Sequence, residues 1–157
     1  RGVGVLMKLV VVSDSHGFNQ ILHDICEAHP DADYFLHLGD LQGDPKQFPK
    51  YHFVSGNMDR NIENDELVLE VGTHRLFMTH SNEYNYFNRL YQLADRANEL
   101  ECDIALYGHT HIPHKEVVEG VYTFNPGSVS EGRSDLYETY GILYIEEDDI
   151  RYEIVFV

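Results

Sequence analysis

The 157-residue sequence predicts an α/β fold, and three observations carry that expectation. Its first half alternates short apolar runs with a helical pattern, the βαβ rhythm that implies parallel strands with crossovers on the faces of a sheet. The apolar runs stop at polar clusters rich in Gly, Asp, Asn and His. The last part changes character, with apolar runs facing each other across Glu119-Gly120 and Glu146–Asp149 as antiparallel hairpins.

Residues 1–6 read as a cloning remnant or a misplaced start, since Met7 followed by Lys8-Leu9-Val10-Val11-Val12 looks like a natural beginning. Residues 7–157 then make the one expected domain, within the ~100–200 residues usual for one. Val10–Ser13 is a β-branched run bounded by Asp14-Ser15-His16-Gly17, a buried strand entering a polar turn. Phe18, Ile21, Leu22, Ile25 and Cys26 follow at helical spacing, with Asn19 placed to cap the start and Pro30 to end the pattern. Tyr34–Leu38, closed by Gly39-Asp40, and His52–Ser55, closed by Gly56-Asn57, are the next strands.

Leu67–Val71 and Leu76–Thr79 read as strands joined through Gly72-Thr73, the second running into His80. Phe87, Leu90, Tyr91, Ala94, Ala97 and Leu100 outline one face of an amphipathic helix. Asp103–Tyr107 is a strand ending in Gly108-His109-Thr110-His111. Beyond it the chain reads as antiparallel. Val117-Val118 pairs with Val121–Phe124, Asn125-Pro126-Gly127-Ser128 breaks the second strand, and Ile142–Ile145 pairs with Ile150–Val157, where Ile150, Tyr152, Ile154 and Phe156 alternate onto one face.

Composition bounds the partners. Hydrophobic residues at 43% and aromatics at 12% argue against disorder, and a chain this long needs no disulfide or zinc staple to fold. The 27 acidic against 11 basic side chains give a formal charge of −16, which repels long nucleic acid and anionic membrane surfaces. No apolar run approaches the ~18 residues of a membrane span. Cys26 and Cys102 form no CxxC pair, and no secretory signal opens the chain, so a reducing, cytoplasmic setting is expected. An anionic substrate needs something other than Lys and Arg to attract it.

That something is visible at the strand ends, where Asp14, His16, Asp40, Asn57, His80, His109 and His111 offer oxygen and nitrogen donors. Ligands of open α/β sheets bind beyond the carboxyl ends of the strands, so these clusters should converge. Residues i and i+2 of an extended chain share a side, so Asp14 with His16, and His109 with His111, are each expected to face one site. This donor set exceeds the needs of one tetrahedral zinc and fits two ions better. Imidazole, carboxylate and amide ligation without thiolate suits Mn, Fe, Co, Ni or Zn.

Asp14-Ser15-His16-Gly17, Gly39-Asp40, Gly56-Asn57-Met58-Asp59, Thr79-His80 and Gly108-His109-Thr110-His111 resemble, in order and rough spacing, the signature of the calcineurin-like metallophosphoesterases. Short length and the Asn125-Pro126-Gly127-Ser128 block make the chain most similar to the small YfcE-like phosphodiesterases. The resemblance implies a four-layer αββα sandwich of two mixed sheets flanked by helices. It implies two divalent ions, manganese the first choice and Fe, Ni, Co or Zn the alternatives. Asp14, His16 and His111 would bind one, Asn57, His80 and His109 the other, and Asp40 would bridge both. With two carboxylates among the ligands, the centre would carry a local positive charge that attracts phosphate.

The activity implied is hydrolysis of small phosphodiesters, with monoesters a further option, by metal-bound hydroxide; Asn57, His80 and Asp40 would be the catalytic set. Many family members carry a histidine where this chain has Met58, which leaves the departing group without that acid. In the fourth block Ser81 and Asn82 follow His80, and Asn82 and Arg133 are the expected substrate contacts. Tyr84, Tyr86 and Tyr91 could wall a substrate, and His114 could support the metal ligands. His23, His29, His37, His52 and His74 read as surface or packing residues. The rivals are a non-catalytic scaffold of the same fold, as in a retromer subunit, and a nuclease or nucleotide phosphatase using the same metals. Homo-oligomerisation stays open.

Overall fold

Alternate side chains of the first strand, β1 (Met7–Val12), enter two different apolar layers: Leu9 and Val11 one, Val10 and Val12 the other. A strand buried on both faces needs an unbroken apolar run, which is what Leu9–Val12 supplies. The computed structural model describes residues 6–131 and 137–157. After β1 come α1 (Gln20–Ala28), β2 (Tyr34–His37), a 3-10 turn at Pro45–Gln47, β3 (Tyr51–Phe53), β4 (Glu66–Val71) and β5 (His74–Thr79). Then follow α2 (Arg89–Glu99), β6 (Ile104–Tyr107), β7 (His114–Val118), β8 (Val121–Asn125), β9 (Thr139–Ile145) and β10 (Ile150–Phe156).

The strands form two five-stranded mixed sheets, ordered β10-β9-β1-β2-β3 and β4-β5-β6-β8-β7. The layer between them holds Leu9, Val11, Leu36, Leu38, Leu76, Met78, Leu106 and Leu143. On the outer side of the first sheet, Leu22 and Ile25 of α1 pack on Val10, Val12 and Phe35. On the outer side of the second, Leu93, Ala94 and Ala97 of α2 pack on Phe77, Ala105 and Tyr107. Burying side chains such as Leu22 or Leu93 stabilises by about 1.5–3 kcal/mol each. The result is the α/β sandwich, with a helix outside each sheet, that the resemblance implies.

Strands β1, β2 and β3 run parallel, as do β5 and β6, so the loops after each of them leave at the same end of their sheet. Two hydrogen bonds join those ends across the sandwich: His80 Nδ1–H donates to Leu38 O at 2.7 Å, and His109 N–H donates to Asp14 Oδ2 at 3.2 Å. Among the described residues no helix is long and apolar enough to cross a membrane.

Several local expectations are corrected. Phe18 and Phe87 precede their helices and are exposed, and Tyr91 points away from the sheet; Leu93 takes the buried place on α2. Asn19 occupies the N-cap position of α1 but its amide donates to Leu41 O at 3.1 Å, so it ties the helix start to a neighbouring loop without capping it. The final part is not wholly antiparallel, because β8 pairs parallel with β6. Strand β7 starts at His114 and β9 at Thr139, both earlier than their apolar runs suggest. Phe156 is exposed because β10 is an edge strand, where it meets Tyr137 edge-to-face. Arg133 and residues 1–5 of the 1–6 segment lie outside the described residues.

Candidate metal centre

Asp14, directly beyond β1, is fully buried, and its two oxygens have different surroundings. Oδ2 accepts from the Ser13 hydroxyl at 2.6 Å and from His109 N–H. Oδ1 has no hydrogen-bond partner, yet three imidazole nitrogens surround it: His111 Nε2 at 3.3 Å, His16 Nε2 at 3.6 Å and His80 Nε2 at 3.6 Å. Asp40 repeats the pattern beyond β2. Its Oδ1 accepts from Met58 N–H at 2.8 Å, while Oδ2 stands 3.2 Å from His80 Nε2 and 3.7 Å from His16 Nε2.

The histidines are oriented from behind. His80 donates its Nδ1–H to Leu38 O, and His111 its Nδ1–H to Glu131 O at 2.9 Å. His16 donates Nδ1–H to Gln42 Oε1 at 2.6 Å. With Nδ1–H committed to a carbonyl, Nε2 is in all three rings the nitrogen that faces the carboxylates, and the one whose lone pair a metal would take. Between His16 and His111 the two Nε2 atoms are 3.4 Å apart, and His109 Nδ1 lies 3.3 Å from His80 Nε2. Protons on His16 and His80 ease this crowding, as their raised pKa values show, and a divalent cation between the nitrogens would take the place of those protons. Separations of 3.2–3.7 Å are the ligand–ligand edges expected around an ion with bonds of ~2.0–2.2 Å.

The donors fall into two groups, Asp14 with His16 and His111, and Asp14 with Asp40 and His80. The first is the set expected for one ion. His109 turns toward the second group, so the two neighbouring histidines face different groups. Asp14 is common to both groups, whereas Asp40 belongs to the second and only approaches the first, its Oδ2 3.7 Å from His16 Nε2. Asn57 is exposed on the loop after β3, and its side chain makes no hydrogen bond among the described residues. Asn82 lies in a separate small cavity with Asp65, Glu66 and Glu83, acidic company for a phosphate contact.

Convergence is not reached by extended i, i+2 alternation as expected. Asp14 (φ 56°), His16 (46°), Asp40 (58°), His109 (73°) and His111 (63°) all adopt left-handed backbone, which turns alternate side chains inward within a tight loop. Such conformations cost about 1 kcal/mol or more each and persist only where the surroundings enforce them. At Asp40 the enforcing group is Asp59, whose carboxylate accepts from Asp40 N–H and Gly56 N–H, each at 2.8 Å, and from Gln42 N–H at 2.9 Å. On the other side, Ser128 and Ser130 hydroxyls donate to Asp14 O, which explains the Asn-Pro-Gly-Ser block. Gly56 is obligatory, since a Cβ there would fall 2.2 Å from Asp40 Oδ1.

Electrostatics follows from this crowding. Burial would raise the Asp14 pKa, but His111 and His16 beside it, with the His80 charge, hold it well below the usual carboxylate range. The Asp14 carboxylate beside it pushes His16 up to about 9 against the opposing effect of burial. His80 is also raised: burial pulls it down, and Asp40 and Asp14 more than compensate. His109 is lowered by burial and by the positive charges of His80 and Arg89. His37 packs behind the site as expected of a residue outside the donor set; it accepts from Gly39 N–H and bonds Ser15 Oγ, and burial lowers it to about 4.

Gln42 and Asp59 were missed as functional residues. Asp59 belongs to a block the sequence singles out, but neither residue carries a spacing that marks it as a support. Tyr86 and His114 line a cavity beside His109, whereas Tyr84 faces the acidic one and Tyr91 lines neither.

Comparison with known proteins points the same way. The sequence profile of the calcineurin-like phosphoesterase superfamily domain matches residues 7–148. The chain is 34% identical over 146 residues to the probable metallophosphoesterase YsnB of Bacillus subtilis, covering 90% of this chain and 86% of that protein. It is 28% identical over 170 residues to the phosphodiesterase YfcE of Escherichia coli, covering 88% of each. A predicted phosphoesterase of Streptococcus pneumoniae superposes with a TM-score of 0.89 at 26% identity, covering 97% of this chain and 90% of that one. Vacuolar Protein Sorting 29 of Cryptosporidium parvum shares the fold, with a TM-score of 0.72 at 16% identity, covering 96% and 97% of the two chains.

Proposed function

This chain belongs to the calcineurin-like phosphoesterase superfamily, and we propose that it is a two-metal hydrolase of small phosphodiesters. The observation that carries this is Asp14 Oδ1, a buried carboxylate oxygen without a hydrogen-bond donor amid three histidine Nε2 atoms. An unpaired buried carboxylate oxygen costs several kcal/mol, and a cation is the group that suits it and the facing imidazoles together. Divalent ions held by Asp14, His16, Asp40, His80, His109 and His111, with Asn57 at the rim, would supply an acidified water and neutralise phosphoryl oxygens. Manganese is the first candidate, since no thiolate is present to favour softer metals.

The protein's own part is positioning. Asp14 and Asp40 each commit one oxygen to the backbone and direct the other inward, so they hold their places without reorganising. His80 is one of the second group's donors, and Asn57 is exposed on the loop between Gly56 and Met58, whose N–H holds Asp40 Oδ1. Met58 is half exposed on the rim and carries no proton, so the leaving oxygen draws its proton from solvent or another side chain. That favours diesters with acidic leaving alcohols. The negative overall charge disfavours long polynucleotides as substrates.

The test is metal-stripped protein reloaded with single divalent ions and assayed on aryl phosphodiesters and phosphomonoesters. Metal-dependent turnover, faster on diesters, is expected. Full metal binding without hydrolysis of either class would hand the chain to the scaffold reading.

A further inference from the structure

A cavity of about 440 Å³ opens beside His109, between the start of α2 and the loop after β6. Its size falls in the ~300–1,000 Å³ range of small-molecule pockets. Leu90 and Ile112 give it apolar walls, and Tyr86 offers an aromatic ring that is largely exposed. The same cavity contains Arg89, which is half-buried.

Among the described arginines without a carboxylate partner, Arg60 and Arg151 are exposed, whereas Arg89 is half-buried. With 27 acidic residues against 11 basic, a carboxylate partner is easy to supply; Arg75 and Arg96 each have one. Among the described residues Arg89 has none. Its guanidinium reaches only the carbonyls of Ser81 and Tyr84, both at a long 3.4 Å. Three of its five N–H donors and the full charge are therefore left without a protein partner among the described residues, in a partly desolvated wall where a hydrogen bond to an anion is stronger than in water. The neighbouring His114 is occupied by Glu116 at 3.1 Å and does not compete.

We propose that this cavity holds one ester arm of the substrate and selects an aromatic arm bearing an anionic group, with Arg89 as the specificity-determining residue; this rests on the phosphoesterase assignment above. The ring lies between Tyr86, Leu90 and Ile112, the anionic group meets the guanidinium, and the phosphorus stays on the His109 side with the metal donors. The arm's negative charge is recognised locally although the protein as a whole repels anions.

The test compares bis(para-carboxyphenyl) phosphate with bis(para-carbamoylphenyl) phosphate, diesters of the same shape that differ in arm charge whichever arm enters. In manganese-loaded wild type the carboxylate diester should have the higher kcat/KM by roughly tenfold or more, the size of a charge-assisted contact. In Arg89→Gln the ratio should fall by roughly tenfold or more, to the value that the leaving-group pKa difference alone sets, Arg89→Lys should restore part of it, and Arg151→Gln, on the remote β10, should leave it as in wild type. Because the readout is a ratio within one protein, partial misfolding cancels.

Calorimetric titration with para-carboxyphenyl phosphate and para-carbamoylphenyl phosphate gives the same comparison without turnover, on metal-loaded and metal-free protein. A carboxylate preference in binding with no hydrolysis of either diester keeps the cavity assignment and overturns the phosphoesterase one. Hydrolysis of both diesters with no carboxylate preference, or a preference unchanged in Arg89→Gln, overturns the cavity assignment and keeps the enzyme.

Discussion

His80 on the second sheet donates its Nδ1–H to the carbonyl of Leu38 on the first, 2.7 Å away, with both groups buried. This bond ties the two halves of the sandwich together at the site and decides which nitrogen of His80 faces the carboxylates. Gly39 makes room for it, with φ at +106°; a Cβ there would stand 2.7 Å from His80 Nδ1 and 2.8 Å from Gly56 N. Gly39→Ala should therefore lower stability by about 2 kcal/mol or more in urea unfolding and weaken metal binding together. A variant as stable as wild type would mean that the backbone at Gly39 is not constrained.

Asp59 supports the site without being one of its donors. Asp59→Ala leaves the N–H groups of Asp40, Gly56 and Gln42 without an acceptor, at about 1–3 kcal/mol for each that stays unsatisfied. Denaturant unfolding should show a loss of a few kcal/mol, and Asp59→Asn, which keeps an acceptor oxygen, should recover part of it. Equal stability of all three proteins would remove Asp59 from the supporting frame.

His37 links stability to pH. Its unfolded imidazole takes up a proton as pH falls through 6.5, whereas the buried native ring does so only near 4, so the unfolded state gains over the native one across that interval. Stability contributed by neutral His37 is present above 6.5 and is lost on acidification, by at most ~3 kcal/mol. His37→Asn keeps an acceptor for Gly39 N–H and removes the titration. The stability difference between wild type and His37→Asn should shrink from about pH 7 to about pH 5. A difference that stays constant contradicts a neutral buried His37.

The parts of the molecule that the sequence makes legible are those where chemistry and pattern coincide. Asp14, His16, Asp40, His80, His109 and His111 each follow an apolar run, and polar donors at strand ends have few structural reasons to recur. The supporting residues are silent for the opposite reason: Gln42 and Asp59 act through backbone hydrogen bonds or a single ring nitrogen, and Leu38 through its carbonyl alone. Pattern also misplaced Phe18, Phe87 and Tyr91, since an apolar residue flanking a helix keeps helical spacing whether or not it reaches the sheet. The placement of the β9–β10 hairpin beside β1 depends on pairing over more than a hundred residues, as in Leu9 with Leu143, and local spacing carries no trace of it.

Met58 carries a prediction about the leaving group. A thioether cannot protonate the departing oxygen, so log rate should fall steeply with rising leaving-group pKa, aryl diesters being cleaved much faster than alkyl ones. Met58→His should flatten that slope and improve alkyl substrates, since general acid assistance is worth ~10²–10⁴-fold. A shallow slope in the wild type would instead point to an acid already present, with His114, in the adjoining cavity, the first to examine by substitution.

The central claim is that these strand ends hold two ions, and metal content after exhaustive purification and reloading tests it most directly. Mass spectrometry of the wild type should give about two divalent ions per chain, His109→Ala and His111→Ala about one each, and Asp40→Ala fewer than wild type with activity abolished. Because His109 and His111 face different donor groups, the ion retained should differ between those two variants in their crystal structures. Wild type that retains no metal, or undiminished metal in the Asp40, His109 and His111 variants, would contradict the account.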